Sequence, residues 1–171
     1  TFLDGILINM AKIHGWHTAI FSPENQPVHR HYADLIQKSA GKSMNKNIVE
    51  KSLYLTQGEY FKYKGFVNEY FKIILPNEQN GNFSLESILK LAAQAVYRYG
   101  VKCVVIDPWN EVEHKKAYDM NDVDYLSYAL TEIRRFARQY NVHVFIVAHP
   151  KVINKDKDGC FPVPTPYDVA G

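Results

Sequence analysis

The sequence has few cysteines, a small net charge and no long apolar run. Its 171 residues contain two cysteines, which cannot form a disulfide framework, so we expect a reducing compartment. The 20 basic and 18 acidic side chains leave a net charge of +2, so any nucleic-acid site must be local. No apolar run approaches the ~18 residues of a membrane span, and no signal peptide is recognisable.

The composition is that of one ordinary globular domain. Hydrophobic residues make up 46% and charged residues 22% of the chain, which argues against disorder over the whole length. We expect residues 1–171 to form a single domain. Because the sequence does not begin with Met and ends abruptly at Ala170-Gly171, we expect it to be incomplete at both ends.

Hydrophobic periodicity predicts helices and strands in alternation. Apolar residues at helical spacing in the first segment give one predicted buried face, formed by Phe2, Leu3, Ile6, Leu7, Met10 and Ile13. No clear element is predicted for residues 45–66. Helices are predicted at 2–13, 27–40, 84–99 and 122–140, and strands at 17–21, 71–75, 101–106 and 142–148. This order predicts an α/β fold with a parallel sheet and flanking helices.

Three of the predicted strands are followed by an ionisable side chain. Glu24 follows the first strand, Asp107 follows the strand 101–106, and His149 follows the last strand. Ligands of open parallel sheets bind beyond the carboxyl ends of the strands. We therefore expect these side chains to lie at one functional edge.

Each of the three residues has a functional and a structural interpretation. Asp107 ends the apolar run Val104-Val105-Ile106, which is the form of a Walker B element that holds Mg²⁺ through water, but an aspartate there can also cap a turn. Glu24 can act as a general base toward water, or it can be a first-turn acid that the helix dipole stabilises. His149 can hydrogen-bond a γ-phosphate, or it can be a buried or capping histidine.

Other familiar sites are excluded by their spacing. Gly41-Lys42-Ser43 lacks the earlier glycine of a phosphate-binding loop and follows a helix, so we interpret it as a helix end. The histidines and cysteines lack zinc spacing, and no Gly-x-Ser-x-Gly nucleophile elbow occurs.

Lysines are frequent after the last two predicted strands. Lys115 and Lys116 follow the strand that ends before Asp107, whereas Lys151 and Lys155 follow His149. Such lysines can neutralise the phosphates of a nucleic acid, or they can be ordinary solvated loop charges.

Taken together, the motifs FSPEN, VVIDPWNE and VFIVAHPK resemble those of the RecA-like ATPase core of DnaB-type hexameric replicative helicases. The resemblance is greatest to the branch of Twinkle and the phage primase-helicases, and it runs through most of the chain. It implies a RecA-like P-loop NTPase fold, with ATP and Mg²⁺ as cofactors. It also implies Glu24 as the catalytic glutamate, Asp107 as the magnesium-associated aspartate and His149 as the sensor of the γ-phosphate.

The same resemblance implies partners and missing parts. Loops carrying Lys115, Lys116, Lys151 and Lys155 are expected to contact single-stranded DNA, in a ring that is a hexamer. A linked or separate primase is a further expected partner, and a membrane is not. Thr1 is expected to follow the missing phosphate loop directly and to contact the nucleotide. We expect the protein to be located in the cytoplasm of a bacterial or phage-infected cell.

Two other classes of function are kept open. One is a RecA-like scaffold or oligomerisation module without catalysis. The other is a metal-dependent phosphoester hydrolase that uses Asp107, Glu111 and His149. Because the phosphate loop and the arginine finger are missing from the sequence, we expect the 171-residue chain by itself to be inactive.

Overall fold

The structure is a computed structural model with side chains. It describes residues 2–45, 47, 50–75, 83–113, 121–149, 155 and 159–163. All statements below concern these residues.

The described residues form one parallel sheet of four strands. Its strands lie in the order β2-β1-β3-β4, with every neighbouring pair parallel. The strands are β1 (His17–Phe21), β2 (Phe71–Ile73), β3 (Val101–Ile106) and β4 (His143–Ile146). The central strands are apolar on both sides because helices cover both faces of the sheet.

Five α-helices flank the sheet in two layers. They are α1 (Phe2–His14), α2 (Val28–Ala40), α3 (Gln57–Tyr70), α4 (Leu85–Tyr99) and α5 (Asp122–Tyr140). On one face, α1, α2 and α3 bury Leu7, Leu35 and Val67 against Ile20 of β1 and neighbouring strand residues. On the other face, α4 and α5 cover the opposite side chains of β1 and β3. This arrangement confirms the predicted α/β fold with a parallel sheet and flanking helices.

Local sequence signals set the helix ends. The side chain of Ser84 accepts the Ser87 N–H at the start of α4, and Asn121 accepts the Asp124 N–H at the start of α5. Gly41 and Gly100 end α2 and α4 in the left-handed conformation, with φ of 64° and 65°. A glycine adopts this conformation without steric cost. The interpretation of Gly41 as a helix end is therefore confirmed.

The buried face of α1 differs from the prediction. The helix buries Asp4, Leu7, Ile8 and Ala11, whereas Phe2 and Ile13 are 87% and 73% exposed. The prediction is confirmed for Leu7 and, in part, for Leu3 and Met10, which pack half-buried against the core. It is wrong for Phe2 and Ile13 because it grouped apolar residues alone. A carboxylate can be buried when it is paired, and Asp4 has partners on α2.

Two strands are shorter than predicted, and a helix lies in part of the segment for which no element is predicted. β2 ends at Ile73, the ladder partner of Ile20, and β4 ends at Ile146, the partner of Ile106, which is the last residue of β3. Residues 45–66, for which no element is predicted, contain the first part of α3, which begins with a capping box between Thr56 and Glu59. Lys42 and Thr56 lower the pKa of Glu59 to about 2 through hydrogen bonds. No helix in the described ranges is both long and apolar enough to cross a bilayer.

Candidate functional site

The carboxyl ends of the two central strands, β1 and β3, and of the edge strand β4 lie side by side. Phe21 is the ladder partner of Ile106, and Ile106 is in turn the partner of Ile146. Since the strands are parallel and in register, the residues after them reach the same edge of the sheet. The structure thus brings Glu24, Asp107 and His149 to one edge, as the sequence predicts.

Glu24 and His149 are in direct contact. His149 Nε2 lies 3.4 Å from Glu24 Oε2, although 125 positions separate the two residues in the chain. Their side chains are about half exposed, at 49% for Glu24 and 54% for His149. A pair this open to water contributes little to the stability of the fold.

Asp107 lies in an unfavourable electrostatic environment. Partial burial raises the pKa of its carboxyl, and the negative charges of Glu24 and Asp4 raise it further. The opposing effects of His149 and His31 are smaller. Carboxylates held together at a strand edge are a suitable setting for a bound cation, which offsets their repulsion.

A short turn after β3 is hydrogen-bonded to the segment after β4, which carries His149. Trp109 begins a 3-10 turn (Trp109–Glu111) and is buried at 2% exposure. Its N–H donates to the Val147 carbonyl at 2.6 Å, and the side-chain oxygen of Asn110 accepts the His149 N–H at 2.8 Å. Sequence analysis assigned no role to Asn110. Its signal in the sequence is its place in the motif VVIDPWNE, three residues after Asp107.

A second charged cluster lies between α1 and α2. Asp4 is 7% exposed, and the ammonium of Lys38 donates to its Oδ2 at 2.5 Å. His31 is also buried, with Nε2 3.7 Å from Asp4 Oδ1. Burial opposes ionisation of Asp4, but His31 and Lys38 outweigh it and hold the pKa of this carboxyl well below its usual range. The sequence does not predict this cluster, because the pairing depends on how α1 packs against α2, which local periodicity does not contain.

Several predicted site residues lie outside the described residues. These are Thr1, Lys115, Lys116 and Lys151. Lys155 is described and exposed, and its Nζ lies 5.3 Å from the centroid of the exposed Phe161 ring. The contact with DNA expected for these four lysines, and the nucleotide contact expected for Thr1, stay predictions.

The cysteine and metal chemistry of the described residues is limited. Burial raises the pKa of Cys103 to about 12, so this thiol remains protonated at neutral pH. Within the described ranges, no three His, Cys, Asp or Glu side chains form a group that could hold a metal ion. The alternative phosphoester hydrolase, which needs Asp107, Glu111 and His149 as such a group, gains no support.

Comparison with known proteins gives one relative over nearly the whole chain. The chain is 32% identical over 171 residues to the "Twinkle homolog protein, chloroplastic/mitochondrial" of Arabidopsis thaliana. The alignment covers 99% of this chain and 23% of that protein. The chain therefore spans about a quarter of the length of this relative. No protein-family model matches the chain.

Two solved structures share the architecture. One is described as "The Structure Of A DnaB-Like Replicative Helicase And Its Interactions With Primase", with a TM-score of 0.65, 17% identity, and coverage of 88% of this chain and 35% of that one. The other structure is an ATPase domain, with a TM-score of 0.61 at 17% identity, covering 84% of this chain and 51% of that one. The chain has the RecA-like fold of DnaB-like ATPase domains. The resemblance to Twinkle and DnaB-like helicases that the motifs predict is confirmed.

The comparison corrects the expected location. The sequence analysis predicted the cytoplasm of a bacterial or phage-infected cell. That prediction is wrong, because the relative that matches along the whole chain is a chloroplastic and mitochondrial protein of a plant. The low cysteine content on which the prediction partly rested does not distinguish among reducing compartments.

Proposed function

We propose that the chain is part of the motor domain of a DnaB-like replicative DNA helicase. Such a motor couples ATP hydrolysis to movement along single-stranded DNA. The observation that carries the proposal is the meeting of Glu24, Asp107 and His149 at the carboxyl edge of a RecA-like sheet. The whole-chain similarity to a Twinkle homolog supports it.

Glu24 is the general base in this proposal. Its carboxylate is half exposed and faces the edge, so water can reach it. It accepts a proton from the water that attacks the γ-phosphorus, and the bond from the γ-phosphorus to the β–γ bridging oxygen breaks. General-base assistance of this kind contributes roughly 10²- to 10⁴-fold to the rate.

Asp107 is the residue that associates with magnesium. Its carboxylate oxygens are the hard ligands that Mg²⁺ prefers, and repulsion from Glu24 makes a cation favourable beside it. Bound Mg²⁺ would supply charge neutralisation for the phosphates. A single carboxylate is sufficient for this role, since Mg²⁺ usually keeps several waters and binds through one or two carboxylates plus phosphates.

His149 is the sensor of the γ-phosphate. Its imidazole contacts Glu24, so a phosphate that binds His149 competes with the carboxylate of the base. Loss of the γ-phosphate then restores the contact. The contact between His149 and Glu24 thereby differs between the states with and without the γ-phosphate.

DNA, a ring and a primase are the proposed partners. Lys155, with its exposed side chain on the segment after β4, is suited to a phosphate of single-stranded DNA. We extend this role to Lys115, Lys116 and Lys151 on the strength of the family resemblance. A hexameric ring and contact with a primase are proposed on the same basis, as is a nucleotide contact of Thr1.

The 171 residues contain no Gly-x-x-x-x-Gly-Lys-Ser/Thr phosphate loop. We therefore propose that this chain alone does not turn over ATP. Activity is to be measured on a protein that carries both this chain and the phosphate loop.

The test is ATP turnover with and without single-stranded DNA, in the wild type and in Glu24→Gln. We expect DNA to stimulate the wild type and Glu24→Gln to lose roughly 10²- to 10⁴-fold of the turnover. Glu69→Gln, an exposed change of the same type on α3, is the control and is expected to keep full activity. If the wild type binds no nucleotide, the proposal is wrong and a scaffold without catalysis explains the fold.

A further inference from the structure

Asn110 lies in the turn after β3 and Asp107, beside the segment after β4 that carries His149. It sits in the 3-10 turn whose first residue, Trp109, is 2% exposed. A buried tryptophan fixes the turn in the core formed by α4, α5 and the sheet. The main chain that carries Asn110 is therefore held in place by the burial of Trp109.

Three hydrogen bonds in succession continue the sheet beyond β4. The Val147 N–H donates to the Ile106 carbonyl at 2.9 Å, and the Trp109 N–H donates to the Val147 carbonyl at 2.6 Å. The His149 N–H then donates to Asn110 Oδ1 at 2.8 Å. The first two bonds join main chain to main chain, whereas the third depends on the identity of one side chain.

The position of the His149 imidazole depends on its main chain. The ring is about half exposed, so packing alone does not hold it in place. Its contact with Glu24 at 3.4 Å requires the backbone to present the ring toward β1. The hydrogen bond to Asn110 Oδ1 holds the backbone nitrogen of His149 in place.

We infer that Asn110 is a positioning residue: its side-chain carbonyl holds the main chain of His149, so that the imidazole meets Glu24 and the γ-phosphate. This inference rests on the proposed function. Asn110 touches none of the reacting atoms in this account, and it acts through His149.

The inference predicts a loss of rate without a loss of nucleotide binding. Asn110→Leu keeps nearly the same shape but removes the acceptor, and misplacement of a catalytic group by about 1 Å can cost up to about 10²-fold. We expect kcat for DNA-stimulated ATP hydrolysis to fall about 10- to 100-fold, with KM for ATP and the melting temperature close to those of the wild type. Asn110→Asp retains an acceptor oxygen of the same reach and is expected to restore most of kcat.

Further variants keep the test decisive. Asn110→Ser, whose hydroxyl is too short to reach the His149 nitrogen, is expected to match Asn110→Leu and serves if the leucine variant does not fold. Asn68→Leu makes the same change at an exposed position of α3 and is expected to leave kcat unchanged.

Each of four results would overturn the inference. Full kcat in both Asn110→Leu and Asn110→Ser, while Glu24→Gln is inactive, removes the role of Asn110 and leaves the proposed function intact. A fall in melting temperature together with a higher KM, or an Asn110→Asp variant as slow as Asn110→Leu, indicates a purely structural role. A wild type without ATP turnover overturns the proposed function and this inference together.

Discussion

Two charged clusters in this molecule use similar side chains in opposite ways. Between α1 and α2, the carboxylate of Asp4 is buried and held by Lys38 and His31, and its pKa is lowered. At the carboxyl edge of the sheet, the carboxylate of Asp107 lies near Glu24, and its pKa is raised. The first cluster favours the charged carboxylate, whereas the second opposes it.

The difference separates charges that hold helices together from charges that we propose take part in chemistry. The Asp4 cluster joins the first turn of α1 to α2 through the ion pair with Lys38 and the contact with His31, so it holds these two helices together. At the edge, the pKa of Asp107 is raised, which disfavours its charged form, and the side chains of Glu24 and His149 are open to water. Strained and exposed charges are typical of functional sites, where stability is given up for reactivity.

Removal of the Asp4 carboxylate is expected to have the larger effect on stability. Asp4→Asn leaves Lys38 and His31 without their acid, and we expect a loss of about 2 to 3 kcal/mol in the free energy of unfolding at pH 7. This figure lies at or below the lower end for fully buried pairs because Lys38 is 37% exposed. Urea denaturation followed by circular dichroism measures it. Asp34→Asn, a change of the same type on α2, is the matched control and is expected to change stability by less than about 0.5 kcal/mol.

The pH dependence of this loss has a definite sign. The pKa of folded Asp4 is lowered, so its contribution is fully present above the unfolded pKa of about 4 and is lost progressively as the pH falls below it. The stability of the wild type should therefore approach that of Asp4→Asn in acid. A difference that stays constant down to low pH would contradict the assignment.

Removal of the Asp107 carboxylate is expected to have a smaller effect of opposite sign. Because the pKa of folded Asp107 is raised, the ionised carboxylate destabilises the fold at neutral pH, and the cost disappears as the pH falls below the unfolded pKa. We expect Asp107→Asn to stabilise the chain by roughly 1 kcal/mol at pH 7. Denaturation at neutral and acidic pH measures the gain, and a loss of stability at pH 7 would show that the carboxylate is not strained.

The contact between Glu24 and His149 is expected to have the smallest effect. Both side chains are about half exposed, so a double-mutant cycle of Glu24→Gln and His149→Ala should give a coupling energy below about 1 kcal/mol. The coupling should decrease further at high salt, since exposed charges are screened. A large coupling that is insensitive to salt would place this pair with the Asp4 cluster.

Sequence patterns predict the sheet edge better than they predict the buried cluster. The period of the apolar residues predicts β3 and α5 within one residue, and the residues after parallel strands are bound to share an edge. The pairing of Asp4 with Lys38 depends on how α1 packs against α2, which local periodicity does not contain. The bond from Asn110 to His149 spans 39 positions and has no local pattern either.

The measurement that tests the central claim most directly is ATP binding alongside ATP turnover in Glu24→Gln, in a protein that also carries the phosphate loop. If the edge cluster is a hydrolysis site with Glu24 as its base, this variant binds ATP as the wild type does and hydrolyses it roughly 10²- to 10⁴-fold more slowly. Turnover equal to that of the wild type would contradict the account, because the carboxylate at the edge would then have no part in the chemistry.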